Sequence, residues 1–284
     1  MTDYKAYTLA APIEVAGIGV HTGMENRVRL VPRKRAGIVL QVNGAPLTLS
    51  PTHMQPTPLC TMLAEGNARL STPEHLLSAL HGLGVLGLKI EVEGPSELPE
   101  VPILDGSALP WVEAIDAAGR EALEHSPETL NVRAPCTYTA EGRVLMAAPR
   151  FLPFMQVECT VSFPHALIGT QTWRGVMREE VYRTEIAPAR SFAQEGDVKA
   201  AMVAGMLKGA SLATGVLFKA DGTVANPEGL RFADEPVRHK VADFMGDSFL
   251  SGRRVQGDFT LNAPGHSANN ALLRKVLEQQ EAAT

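Results

Sequence analysis

In Asp234-Glu235-Pro236-Val237-Arg238-His239-Lys240-Val241-Ala242-Asp243-Phe244-Met245-Gly246-Asp247, two periodicities run along one segment. Acidic residues ahead of a proline mark a helix start. Val237, Val241, Phe244, Met245 and Phe249 then recur at helical spacing, an apolar stripe that seeks a core. His239, Asp243 and Asp247 form a second, ionisable stripe. Residues four apart share a helix face, so His239 and Asp243 can grip one cation. A solvated polar face is the commoner origin of a lone His/Asp pair, and a second cluster is needed to tip the balance.

That cluster lies at Ser71-Thr72-Pro73-Glu74-His75-Leu76-Leu77. Leu76, Leu77, Leu80 and Leu83 give a buried stripe for a helix over 71–86, and Gly82 and Gly84 weaken its end. Ser71-x-x-Glu74 fits a capping box, and a glutamate in a first turn suits the helix dipole, so Glu74 also has a purely structural reading. Adjacent helical residues point about 100° apart, so His75 can face an ion while Glu74 flanks a water bound to it. Two histidines, a carboxylate and a spare carboxylate form a set that makes water attack an unreactive bond. His266, in the turn Pro264-Gly265-His266-Ser267, is placed to serve a leaving group. If it opens a helix over 267–280, the positive helix end should lower its pKa, with Asp247 as the counterweight.

The 284 residues suggest two domains more readily than one, and 45% hydrophobic residues supply ample cores. A net charge of −5 argues against general nucleic-acid binding. No apolar run is long enough to span a bilayer, and Met1-Thr2-Asp3-Tyr4-Lys5 does not read as a signal peptide. Three cysteines (Cys60, Cys136, Cys159) without a CxxC pattern fit reduced thiols in a cytoplasm. Alternation at 38–42, 88–92, 143–146 and 156–163 predicts strands. Helices are expected from 110 toward 123, over 236–251 and over 267–281, with a linker at 124–128. Strands followed by helices, twice, give an α+β fold. Gly17-x-Gly19-x-x-x-Gly23 has the wrong spacing for a dinucleotide fingerprint and reads as a turn that brings His21 toward a site. Lys240 on a polar helix face is most simply solvated.

Seven ordered motifs carry a family resemblance. They are Gly17-Ile18-Gly19-Val20-His21-Thr22-Gly23, Ser71-Thr72-Pro73-Glu74-His75-Leu76, Pro102-Ile103-Leu104-Asp105-Gly106-Ser107, Ala189-Arg190-Ser191-Phe192, Glu228-Gly229-Leu230-Arg231-Phe232, Val237-Arg238-His239-Lys240-Val241-Ala242-Asp243 and Gly265-His266-Ser267-Ala268-Asn269-Asn270. Together, from about residue 12 to about residue 277, the chain resembles the UDP-3-O-acyl-N-acetylglucosamine deacetylases, zinc amidases of lipid A biosynthesis. The resemblance implies zinc ligands at His75, His239 and Asp243, a general base at Glu74 and a second catalytic histidine at His266 backed by Asp247. Ser191 stands where the family has a threonine that holds the oxyanion. Lys240 and His21 match polar residues lining the site, and Phe163 matches the aromatic on which uracil stacks.

The resemblance also implies two similar domains, 1–126 and 127–284, with helices sandwiched between their sheets. A βαβ insert near 192–217 would form an apolar passage for an acyl chain, lined by Val198, Met202, Met206 and Leu207. Ser162, Gln194, Glu195, Gly196 and Lys208 depart from the family's pattern and bear on which substrate is accepted. The expected partner is a small acylated sugar nucleotide, with no nucleic acid and room for transient contact with a membrane surface; no oligomeric state is assigned. Fe(II) suits the same donor set as zinc. The other readings are a metal-dependent deacetylase acting on another N-acetylated sugar or amide, an Fe(II) oxygenase with two histidines and one carboxylate, and a catalytically idle sugar-nucleotide-binding relative.

Overall fold

The computed structural model describes residues 5–57 and 59–281. Residues 1–4, on which the signal-peptide reading rests, lie outside the described residues. In the strand Glu25–Pro32, Asn26, Val28 and Leu30 point inward while Arg27 and Arg29 face solvent, the period-two pattern of a sheet with one covered face. The strand joins a five-stranded sheet in the order Ile13–Ile18, Glu25–Pro32, Gly87–Glu93, Gly37–Val42, Ala45–Leu47. A second sheet runs Cys136–Ala140, Arg143–Ala148, Val255–Asn262, Met155–Phe163, Gly169–Val176, with Leu130–Asn131 added to Val255–Asn262.

The two sheets repeat one plan. Each has two antiparallel hairpins, early in its half of the chain, flanking a central strand that comes last. That strand is antiparallel to one hairpin and parallel to the other. A helix precedes each central strand, α1 (Glu74–Gly82) and α5 (Glu235–Ser248), and a helix follows it, α2 (Leu109–Ala118) and α6 (His266–Glu281). Between them lie α3 (Glu179–Val181), continued by a π turn over Tyr182–Ile186, and α4 (Glu195–Val203). No internal repeat is visible in the residues themselves, so the duplication emerges from topology.

The helices fill the space between the sheets. α2 lies on Ile13–Ile18 and against α1; α1 packs on α5; α5 and α6 lie on the strands of the second sheet. Leu76, Leu80 and Trp111 from the first half join Phe244, Phe249 and Leu272 from the second in one continuous core. The α+β class and the sandwiched helices match the expectation.

The helix expected from 110 toward 123 stops at Ala118, because Gly119 has φ of 74° and leaves the helical path, as glycine does at helix ends. Arg120–Ala122 instead pairs with Tyr7–Leu9. No helix or strand spans 124–128. Phe192–Gln194 and Val216–Phe218 pair in parallel with α4 between them, a βαβ unit. Among the described residues, no helix is long and apolar enough to cross a membrane.

Candidate active site

α1 begins at Glu74, but the capping box does not form, since no side chain caps the helix. Ser71 ends a strand, and Thr72 at φ 58° turns the chain away before the helix starts. The Ser71 hydroxyl lies 3.2 Å from Cys60 Sγ, while the Thr61 N–H donates to Glu74 Oε2 at 3.3 Å. Glu74 is thereby turned into the interior, where it is buried. Burial pushes its carboxyl up to about 7, against the opposing pull of the His266 charge. The same burial, with the Glu74 charge nearby, raises the Cys60 thiol to about 11 and makes it a poor nucleophile.

His75 of α1 and His239 and Asp243 of α5 converge, with their ligand atoms all within 4.8 Å of one another and all three residues buried. Asp243 Oδ1 is 3.2 Å from His239 Nε2 and 4.0 Å from His75 Nε2. Two donors held tetrahedrally by one zinc, each about 2.1 Å away, are about 3.4 Å apart, so the spacing fits an ion with little movement. His239 Nδ1 donates to the Ala189 carbonyl at 3.1 Å, which leaves the Nε2 lone pair facing the cluster. Burial, reinforced by the neighbouring His239, lowers His75 to about 3. Burial likewise lowers His239, so both imidazoles are neutral and ready to ligate. Burial would raise Asp243, but the His239 imidazole against it and the Lys240 ammonium outweigh that and hold the carboxyl below its ordinary range.

The remaining expected residues are disposed around this cluster. Ser191 Oγ lies 3.4 Å from His75 Nε2 and 3.3 Å from His239 Nε2. His266 opens α6, with Nε2 3.9 Å from Glu74 Oε1 and Nδ1 donating to Asp247 Oδ2 at 2.9 Å. Burial lowers its pKa, but the charge and hydrogen bond of Asp247 prevail and raise it to about 9. The expected depression at the helix end is overcome by that counterweight.

Lys240 is not a solvated lysine: its Nζ donates to Asp243 Oδ2 at 2.8 Å and sits 5.6 Å from the Phe192 ring centroid. Phe163 reaches the site through rings, its centroid 5.3 Å from Phe192, which is 6.2 Å from His239. Beside it, the Ser162 hydroxyl is spent on Thr170 at 3.0 Å. The polar contacts of His21 run through its backbone, to Glu100 Oε2 at 2.9 Å and the Lys208 N–H at 3.2 Å, and join the glycine turn to the insert. In the insert, Val198, Met206 and Leu207 are half-buried and Met202 is exposed.

Three residues given no role from the sequence belong to this setting. The Thr61 hydroxyl donates to Asp247 Oδ1 at 2.5 Å, and Asn269 Nδ2 donates to Asp247 Oδ2 at 2.8 Å. Arg190, buried beside Ser191, holds Glu235 Oε1 at 2.8 Å and Glu228 Oε1 at 2.6 Å, which ties the Ser191 segment to the first turn of α5. Arg190 and Asn269 fall within two of the quoted motifs, whereas Thr61 stands outside all of them.

The arrangement suits metal-assisted hydrolysis, and comparison with known proteins points the same way. The family model described as UDP-3-O-acyl N-acetylglycosamine deacetylase matches residues 6–278. The chain is 38% identical over 285 aligned residues to the UDP-3-O-acyl-N-acetylglucosamine deacetylase of Phenylobacterium zucineum (strain HLK1), covering 97% of this chain and 94% of that protein. It is 34% identical over 285 aligned residues to the deacetylase of the same name from Anaeromyxobacter dehalogenans (strain 2CP-C), covering 99% and 90%. A third, from Brucella ovis (strain ATCC 25840 / 63/290 / NCTC 10512), is 33% identical over 280 residues, covering 97% and 96%. With the match extending across both sheets and every element of the site, the chain belongs to the UDP-3-O-acyl N-acetylglycosamine deacetylase family.

Proposed function

We propose that this protein hydrolyses the acetamide of UDP-3-O-acyl-N-acetylglucosamine, releasing acetate and the free amine in lipid A biosynthesis. The observation that carries the reading is the convergence of His75, His239 and Asp243 beside Glu74 and His266. We assign the three converging residues as ligands of zinc, with Fe(II) suited to the same donors. The ion, when bound, supplies a Lewis acid that acidifies water and polarises a carbonyl.

Glu74 takes the proton from the attacking water; its burial keeps it a base near neutrality. Ser191, whose hydroxyl faces both ligand imidazoles, donates to the developing oxyanion. His266 enters protonated, adds positive charge where negative charge develops, and gives its proton to the departing amine. Asp247 orients that imidazole and sustains its charge. Lys240, Phe163 and His21 bind the polar part of the substrate, and Val198, Met202, Met206 and Leu207 flank its acyl chain. The chain divides into domains 1–126 and 127–284, with the site between α1 of one and α5 of the other, and it works in the cytoplasm.

The paired acid and base favour hydrolysis over oxygenase chemistry, which has no use for them. An acetate-release assay on UDP-N-acetylglucosamine with and without a 3-O-acyl chain tests the reading. Strong preference for the acylated form is expected. Equal rates point to another N-acetylated substrate, and oxygen-dependent turnover defeats the hydrolase reading.

A further inference from the structure

We propose that Thr61 is a positioning residue that locks the general acid and the general base of this site to one another. The inference rests on the roles proposed above for Glu74 and His266. Thr61 is fully buried and meets the site through two groups. Its backbone N–H donates to Glu74 Oε2 at 3.3 Å. Its hydroxyl donates to Asp247 Oδ1 at 2.5 Å and lies 3.2 Å from His266 Nδ1.

Asp247 is also fully buried, and each of its carboxylate oxygens is accounted for. Oδ2 accepts from His266 Nδ1 at 2.9 Å and from Asn269 Nδ2 at 2.8 Å. Oδ1 accepts from Thr61. A carboxylate anchored through one oxygen alone can swing about its χ2 axis, whereas anchoring both fixes its plane. That plane sets the direction of the His266 Nδ1–H bond, and hence where Nε2 points. Because the same residue holds Glu74 through its backbone, acid and base are referenced to a single point of the chain. An orphaned Oδ1 would be a buried unsatisfied acceptor on a charged group, a cost that rotation of the carboxylate would relieve. The hydroxyl is the part of Thr61 that matters, since valine matches its shape without the donor.

The test compares Thr61→Val and Thr61→Ser with wild type, all zinc-loaded. Steady-state acetate release and its pH profile are measured on the acylated sugar nucleotide. The imidazole resonances of His266 are followed by 1H–15N NMR in the same proteins without substrate. For Thr61→Val we expect kcat to fall about 10- to 100-fold with KM within about twofold, the size of effect seen when partners of site residues are removed. We also expect a displaced alkaline limb and a shifted or lost hydrogen-bonded Nδ1 proton. Thr61→Ser should restore all three. Wild-type kcat, pH profile and Nδ1 proton in Thr61→Val would overturn the inference, as would Thr61→Ser behaving like the valine variant. If wild type releases no acetate, the deacetylase reading fails by itself, and the Nδ1 proton still decides whether the Thr61 hydroxyl fixes the imidazole.

Discussion

Gly246 of α5 and Glu74 of α1 meet backbone to backbone: a Cβ at Gly246 would lie 2.1 Å from the Glu74 carbonyl oxygen. The two helices cross where each carries its functional side chains, and this contact sets their separation. On α5, Asp243 lies about one turn before the crossing and Asp247 immediately follows it. Glycine is required by space here, since the residue sits inside a helix with ordinary dihedrals.

Gly246→Ala therefore forces α1 and α5 apart. Overpacking of this kind costs about 1–3 kcal/mol, and it separates His75 from His239 and Asp243. Urea denaturation should show a lowered midpoint, and zinc competition titrations a weakened affinity. Wild-type values in both would mean the crossing distance is not critical.

Asp247→Asn tests what sustains the charge of His266. Its pKa of about 9 exists because the Asp247 charge overcomes burial. A neutral asparagine leaves burial in control, so the His266 pKa falls and the acid form is lost as pH rises through neutrality. Acetate release near pH 8 should drop about 100-fold, the low end of what a general acid contributes. The alkaline limb of kcat/KM should move to lower pH, with metal content unchanged. Full activity would remove Asp247 from the mechanism.

His81, two turns along α1 from Glu74, makes stability pH-dependent. Its Nδ1 donates to the Met245 carbonyl at 2.9 Å, and its Nε2 accepts from the Val255 N–H at 3.3 Å, so the ring is held neutral. Burial lowers its pKa to about 4. Between about pH 6.5 and 4 the unfolded chain binds this proton and the folded one does not, so stability falls as pH drops through that window. The loss is about 1.4 kcal/mol per pH unit, roughly 3 kcal/mol in all. His81→Gln should flatten the acid side of the stability curve measured by denaturant midpoints. An unchanged slope would place the proton uptake elsewhere.

Much of this architecture was legible because it is written in local patterns. The stripes of 237–249 mark α5 within a residue or two at its start, since proline and acidic residues punctuate that turn. Helix spacing also allowed His239 and Asp243 to be paired. Other features are set by tertiary contacts that no window of sequence contains. Ser71 and Glu74 have capping-box spacing, yet Cys60 and Thr61, in the segment that leads into the strand Met62–Glu65, claim both side chains. Lys240 reads as solvated until Asp243 is found turned against it. The bond from Thr61 to Asp247 joins residues 186 positions apart, which periodicity cannot anticipate. The repeated sheet plan is likewise invisible, because it lies in strand order and pairing direction, which no window of residues records.

On the proposed assignment, one ion is held by His75, His239 and Asp243 while Glu74 stays free to act as a base. Elemental analysis of purified wild type and of His75→Ala, His239→Ala, Asp243→Ala and Glu74→Ala, run beside acetate release, tests it most directly. One equivalent of divalent metal is predicted in wild type and in Glu74→Ala, the latter without turnover, and a loss of metal in the other three. Full metal in His239→Ala, or none in Glu74→Ala, would contradict the assignment.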